Sequence, residues 1–261
     1  MNILCIGDIV GAPGRDVIEE HLNDLKKEFQ VDCTIVNGEN SAGGFGITER
    51  VANQLFKAGC DVITLGDHVW DKREIAEYLV GKNEIIRPAN FPEGAPGNGW
   101  TILKLPSGVK VGVINILGRV FMRYNVDCPF RALQRIVKDI RQETNIIVVD
   151  MHAETTSEKI AMGWFINGEV SAVVGTHTHV ATADETILSK GTGYITDLGM
   201  TGPHDSVIGQ NKDRIIERFL SSMPHKFEVA LDDIRLNGVV IDIDEKTGKA
   251  RKIQRVQKKV S

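Results

Sequence analysis

The sequence predicts an α/β protein of two stacked mixed β-sheets flanked by helices, and three observations carry that reading. Short apolar runs alternate with amphipathic helical patterns through the first half, which is the grammar of βαβ units with parallel strands and right-handed crossovers. From Trp100 the pattern changes to two β runs around a PSG turn, the signal of an antiparallel hairpin. No linker-like stretch, low-complexity segment or internal repeat interrupts the 261 residues, so one domain over residues 1–261 is expected.

NILCIGD opens as a strand, and the helix after it spans about Pro13 to Phe29. Val17, Ile18, Leu22, Leu25 and Phe29 form its apolar stripe, and Pro13 suits a first helical turn. DCTIVNGEN is the next strand, followed by a helix from about Thr48 to Ala58, a strand over DVITLGD, a short helix over DKREIAEYLV and a strand at IIRPAN. The hairpin WTILKLPSGVKVGVINILG leads into a loop from Gly118 to Pro129 and a helix over FRALQRIVKDIRQE. NIIVVDMH and SAVVGTHTH read as strands around a helix from Ser157 to Phe165, and the short runs ETILSK, GYITDL, NGVVIDID and ARKIQRV complete the β content.

Composition narrows the function classes. A hydrophobic content of 42% is enough for one large core. A net charge of -4 gives no global pull toward nucleic acid or an anionic membrane, so an anionic substrate must be attracted locally. Cys5, Cys33, Cys60 and Cys128 show no C-x-x-C spacing and read as buried free thiols in a reducing compartment. The start MNILCIGDIVG lacks a basic region before its apolar run, and nothing later approaches the ~18 apolar residues of a membrane span. A cytoplasmic protein is the expectation. Lys246 to Lys259 carries seven basic residues and no acid; with no interleaved aromatics it reads as a solvated hairpin face, and an RNA contact there has no support.

The chemistry collects at the carboxyl ends of the apolar runs. Asp8 follows NILCIG, Glu39 and Asn40 follow TIVNG, Asp67 and His68 follow VITLG, His152 follows IIVVDM, and His177 and His179 follow SAVVGT. Ligands of open α/β sheets bind at that edge. Singly, a strand-end Asp is a helix cap or turn residue and a lone His a satisfied structural one. Jointly, three carboxylates converging without a cation repel and lose solvation, whereas imidazoles and an amide beside them complete two mixed N/O coordination spheres. In a strand, His177 and His179 share a face, so they meet one object only if it lies beyond the strand's end.

Rival readings are weaker. GDIVGAPG does not have the G-x-G-x-x-G spacing of a dinucleotide site, and Asp8 sits where a pyrophosphate would approach. Gly43, Gly44 and Gly46 read as a tight loop near the metals, with a lid over substrate as the alternative. His204, after a Gly-Pro turn, reads as a loop residue. Arg15 is left open between a phosphate contact and a helix cap, and His21 and His225 have no cluster around them.

The series GDIVG, NGEN, LGDH, DMHAE and GTHTH, with SAGGFGIT and DLGMTGP, resembles the signature of the calcineurin-like metallophosphoesterases over nearly the whole chain. It is most similar to their bacterial YmdB-like branch, described as 2′,3′-cyclic nucleotide phosphodiesterases. The resemblance implies a four-layer metallophosphoesterase sandwich and a binuclear metal centre of iron and/or manganese, with zinc as a further option. It implies one ion on Asp8, Asn40 and His179, the other on Asp67, His152 and His177, and Glu39 bridging. It further implies a bridging hydroxide as nucleophile, His68 as the acid that protonates the leaving group, a small phosphodiester or cyclic nucleotide substrate, and a homo-oligomer. Alternatives kept open are a phosphomonoesterase or RNA nuclease with the same centre, and a regulatory protein whose metal site is largely structural. The family motif usually reads G-N-H where this chain has Gly66, Asp67 and His68. Three carboxylates against two divalent ions and a hydroxide leave the centre neutral, where an amide leaves one positive charge. Asp67 therefore either weakens the pull on an anionic phosphodiester or favours a more highly charged metal such as ferric iron.

Overall fold

The computed structural model describes residues 1–260. The first sheet is built around β1 (Asn2–Ile6), which pairs in parallel with β3 (Val31–Asn37) and antiparallel with β13 (Ile234–Ile243). Beyond β3 lie β4 (Val62–Thr64) and β5 (Ile85–Ile86), both parallel. Beyond β13 lie β12 (Met200–Pro203) and the two-residue β2 (Asp8–Ile9), while β14 (Ala250–Lys259) forms a long hairpin with β13. The second sheet runs β10 (Thr186–Ile187), β11 (Gly193–Ile195), β9 (Ala172–Thr176), β8 (Ile147–His152), β7 (Lys110–Leu117) and β6 (Trp100–Lys104). Both sheets are mixed, as the change of grammar at Trp100 requires.

The period of two along each strand sorts side chains between layers. Ile3 and Cys5 of β1 face the core between the sheets, with Cys33, Ile35, Val113, Val148, Val174 and Ile241. Leu4 and Ile6 face outward, onto α1 (Gly11–Glu28), α2 (Glu49–Ala58) and α3 (Ile75–Val80). On the far side α4 (Pro129–Ile140) and α5 (Thr156–Phe165) pack over Ile114, Ile147 and Val149. The result is the four-layer order helix, sheet, sheet, helix. Of the stripe of α1 predicted from its spacing, Val17, Ile18, Leu22 and Leu25 are all within 2% of full burial, while Phe29 falls just past the helix end and is half-buried. Each such side chain removed from water contributes about 1.5–3 kcal/mol.

Local signals explain most boundaries. Thr48 caps α2 by accepting from the Val51 N–H at 3.3 Å, and Gly59 ends it at φ 106°. The first helix begins at Gly11 rather than Pro13, because Pro is equally at home in the first turn already under way. DKRE forms turns, so α3 starts only at Ile75, and ETILSK keeps two residues of strand. One helix was not expected: α6 (Lys212–Ser221), capped by Asn211, which accepts from the Asp213 and Arg214 N–H groups.

Cys5, Cys33 and Cys60 are buried free thiols and Cys128 is half-buried. Burial pushes the thiols of the first three up, which keeps them protonated. Among the described residues no helix is long and apolar enough to cross a membrane. The basic tail lies on β14, where Arg251 pairs with Asp242, Arg255 with Glu185 and Lys259 with Asp233. Those cations are matched by neighbouring acids.

Gly175 in β9 lets Thr196 approach so closely that a Cβ would stand 1.7 Å from its carbonyl oxygen. Backbone cannot rotate away as a side chain can, so Gly175→Ala is expected to destabilise the fold by about 2–3 kcal/mol in urea unfolding. A loss under about 0.5 kcal/mol would show that these two segments separate readily.

Candidate metal centre

The parallel strands β1, β3 and β4 of one sheet and β8 and β9 of the other end at a common seam, and hydrogen bonds across it fix the register. Asp150 of β8, 2% exposed, accepts from Asn37 Nδ2 of β3 at 3.0 Å and from Thr64 Oγ1 of β4 at 2.5 Å. Its other oxygen accepts from Thr176 Oγ1 at 2.6 Å. Burial pushes the Asp150 carboxyl up to about 6, against the charge of His152 and these hydrogen bonds.

That network decides which nitrogen His152 offers. Thr176 Oγ1 gives its proton to Asp150, so it accepts from His152 Nδ1 at 2.9 Å. Nε2 of His152 then points into the seam, the orientation a metal ligand needs. Around it stand Glu39 Oε1 at 3.1 Å, Asp67 Oδ1 at 3.2 Å and His177 Nδ1 at 3.1 Å. His177 Nδ1 is also 3.3 Å from Asp67, while its Nε2 faces the Glu154 carboxylate at 3.2 Å. A proton on that Nε2 leaves Nδ1 as a donor to a metal.

One donor atom from each of Glu39, Asp67, His152 and His177 lies within 4.8 Å of the others. Four Lewis bases so close together in a buried seam need positive charge among them. Burial lowers the pKa of His152, but Glu39, Asp67 and Asp8 overcome it and raise it well above the ordinary value. Burial pushes Asp67 up, but the hydrogen bonds of His152 and His177 outweigh it and hold the carboxyl below the usual range. Two imidazole nitrogens and two carboxylate oxygens are a borderline set suited to iron, manganese or zinc. Gly66 makes room for it, since a Cβ there would lie 2.0 Å from Glu39 Oε2 and 2.3 Å from His152 Nε2.

Beside this set, two buried oxygens have no partner in the fold: Asp8 Oδ1 and Asn40 Oδ1. An orphaned buried carboxylate oxygen costs several kcal/mol, so the pair asks for a cation. His179 supplies the third donor: Nδ1 is 2.9 Å from the Ile208 carbonyl, which fixes the proton there, and Nε2 is 3.9 Å from Asp8 Oδ1. Asn40 itself is oriented by its amide N–H donating to the Gly44 carbonyl at 3.1 Å. All eight residues singled out in the sequence, His68 included, thus meet at one seam, and the donors divide into two adjoining sets.

The two histidines of GTHTH do not reach their places as strand neighbours. Strand β9 ends at Thr176, and His177 and His179 have φ of 98° and 64°, a region that costs a residue with a Cβ of order 1–3 kcal/mol. The strand pattern predicted one shared face; the turn instead aims His177 at Asp67 and His179 at Asp8. A buried ion pair holds that turn, and nothing in the sequence reading found it. Lys159 on α5, 1% exposed, donates to the Thr176 carbonyl at 2.7 Å and to Asp197 at 2.5 Å. Asp197 accepts from the N–H groups of Thr178 and Gly199 at 3.2 and 2.8 Å.

His68 lies at the rim of the seam. Its backbone N–H donates to Glu39 Oε2 at 3.3 Å, and its Nδ1–H donates to Asp71 Oδ2 at 2.8 Å. Asp71 is held in turn by Arg123 at 2.8 Å. His68 lines a cavity of about 510 Å³ together with Glu39, Asn40, His177 and His179. Gly43, Gly44 and Gly46 all have positive φ and form the tight turn beneath it. Arg15 donates to the Ser41 carbonyl and to Gln54, tying α1 to this loop and to α2. His204 is satisfied by Gly202 and Asn237, as a loop residue.

Two mixed sheets between helical layers, with carboxylates and imidazoles gathered where parallel strands end, define a metallophosphoesterase. The chain belongs to the YmdB-like protein family, whose model matches residues 4–256. A 2′,3′-cyclic-nucleotide 2′-phosphodiesterase of Bacillus subtilis (strain 168) is 49% identical over 256 residues, covering 98% of this chain and 96% of its own. The crystal structure of a hypothetical protein from Thermus thermophilus superposes with a TM-score of 0.92 at 37% identity, covering 99% of each chain. That of a novel phosphatase from Mycoplasma pneumoniae gives 0.92 at 34% identity, over 99% of this chain and 93% of the other.

Lys159→Met keeps the volume but leaves Asp197 buried without its cation. The expected loss is about 3–5 kcal/mol in chemical unfolding, with weaker metal retention because the turn carrying both histidines loosens. Unchanged stability would mean that Asp197 finds another partner.

Proposed function

We propose that this chain is a metal-dependent phosphodiesterase that hydrolyses 2′,3′-cyclic nucleotides or similar small phosphodiesters. One ion would be held by Asp67, His152 and His177 and a second by Asp8, Asn40 and His179, with Glu39 available to both. The mixed oxygen and nitrogen donors would suit iron and/or manganese, with zinc as a further option. The observation that carries the reading is the pairing of four converging donors with the orphaned oxygens of Asp8 and Asn40, at the end of a cavity that His68 also lines. The relative from Bacillus subtilis supports the substrate class by its name.

When bound, such a metal pair supplies Lewis acidity and an activated water at neutral pH. The chain's own residues do the rest. Asp150, Thr176 and Glu154 keep the two imidazoles facing the seam. His68, with Nδ1 anchored to Asp71, presents Nε2 to the departing ribose oxygen and protonates it as imidazolium, a step worth roughly 10² to 10⁴ in rate.

Protein purified without chelator should carry close to two metal ions per chain and turn over a 2′,3′-cyclic nucleotide faster than an aryl monophosphate or RNA. In His68→Ala, kcat should fall by about 10² to 10⁴ with metal content intact. Equal turnover of variant and native chain would remove His68 from the mechanism; absence of metal together with absence of turnover after reconstitution would remove the enzyme.

Asp67→Asn restores the amide usual in the family and takes one negative charge out of the centre. The expected outcome is altered metal retention, a lower KM for the anionic substrate, or both, read by metal analysis and steady-state kinetics. A variant identical to the native chain in both would show that this charge is neutralised elsewhere.

A further inference from the structure

The cavity that opens on the metal donors is wider and more apolar than a phosphate group requires. About 510 Å³ falls in the range of pockets that enclose whole small molecules. Its wall away from the donors carries Phe45, Phe219 and Phe227, with Ile208 and Ile215. Phe45 stands edge-on to His68, with ring centroids 5.0 Å apart, and edge-on to Phe227 at 5.2 Å. The guanidinium of Arg218 lies over the Phe227 ring, 5.3 Å from its centre. An unbroken line of contact therefore runs from His68 to an aromatic and cationic wall.

These rings are not part of the fold's cores. Phe227 is 42% and Phe219 81% exposed, and α6, which carries Arg218 and Phe219, buries no residue at all. Apolar faces kept in water beside a hydrolytic seam suit a flat heteroaromatic occupant, which stacks on any aromatic or guanidinium plane regardless of its ring substituents. Gln210, 7% exposed, also lines the cavity, and its side-chain carbonyl oxygen has no partner in the fold. A few placed polar groups on an otherwise apolar wall are what orient a polar-edged ligand.

We propose that Phe45, Phe227 and Arg218 form a subsite for the nucleobase of the substrate, so that the chain selects nucleoside phosphodiesters over base-free ones. This rests on the phosphodiesterase reading above and adds the residues that confer its selectivity. Because every base has a π face, selection is for the presence of a base more than for its identity.

The test compares 2′,3′-cyclic AMP with the 2′,3′-cyclic phosphate of methyl riboside, which lacks the base, in the native chain and in Phe227→Ala. A second arm titrates the metal-loaded protein with adenosine, which carries the base and no phosphate, by calorimetry. The native chain should favour the nucleotide through KM, by roughly 10- to 100-fold. Phe227→Ala should lose most of that preference and bind adenosine about tenfold more weakly. Equal kinetics on the two substrates in the native chain, or equal losses on both in the variant, would overturn the subsite while leaving the phosphodiesterase intact. If neither substrate is hydrolysed, the phosphodiesterase reading fails, and adenosine alone decides: Phe227-dependent binding supports the subsite and no binding overturns it. Should adenosine fail to bind while Phe219→Glu turns an oligomer into a monomer in sedimentation, the wall belongs to contact with a second copy and the subsite is refuted.

Discussion

Everything around the seam answers to one electrostatic constraint: Glu39, Asp67, His152 and His177 bring four electron-pair donors within 4.8 Å of one another in a largely buried seam. Such an arrangement is unfavourable unless positive charge sits inside it, because burial strips the carboxylates of solvation and mutual repulsion adds to that cost. The raised pKa of His152 and the depressed one of Asp67 express the same demand from opposite sides. A metal ion there would satisfy it, and the unpaired oxygens of Asp8 and Asn40 carry the same demand to an adjoining position.

Holding donors in that state takes a rigid frame, and the frame is the joint between the sheets. Asp150 gathers Asn37, Thr64 and Thr176 from strands of both sheets, and through Thr176 it sets the tautomer of His152. Lys159 and Asp197 fasten the turn that bears His177 and His179 in left-handed backbone. Interactions that orient donors in this way matter to a metal site nearly as much as the donors themselves. By contrast the cavity wall away from the metals rests on α6, a helix with no buried side chain.

Much of this was legible in the chain. The stripe of α1 and the PSG hairpin follow from local periodicity and turn chemistry, and the residues at the strand ends include the four that converge within 4.8 Å, Glu39, Asp67, His152 and His177. The helix α6 escaped although Asn211 and the apolar positions at Ile215, Ile216, Phe219 and Leu220 signal it, because Ile216, Phe219 and Leu220 stay exposed and join no core. Lys159 escaped for another reason. A lysine within a helical pattern reads as solvated, and only the packing of α5 over β9 buries it against Asp197.

The sequence by itself determined which residues carry metal-binding chemistry and at which edge of the sheets they stand, because strand period and strand ends are properties of a few neighbouring residues. Tertiary structure decided the contacts that bring those side chains together and which ring nitrogen each imidazole turns to the seam. It also decided that His177 and His179 leave the strand to face different partners. These choices depend on contacts between residues far apart in the chain, such as Asn37 with Asp150 and Asp8 with the His177 N–H. No local pattern encodes such contacts; they exist only once two sheets close on one seam.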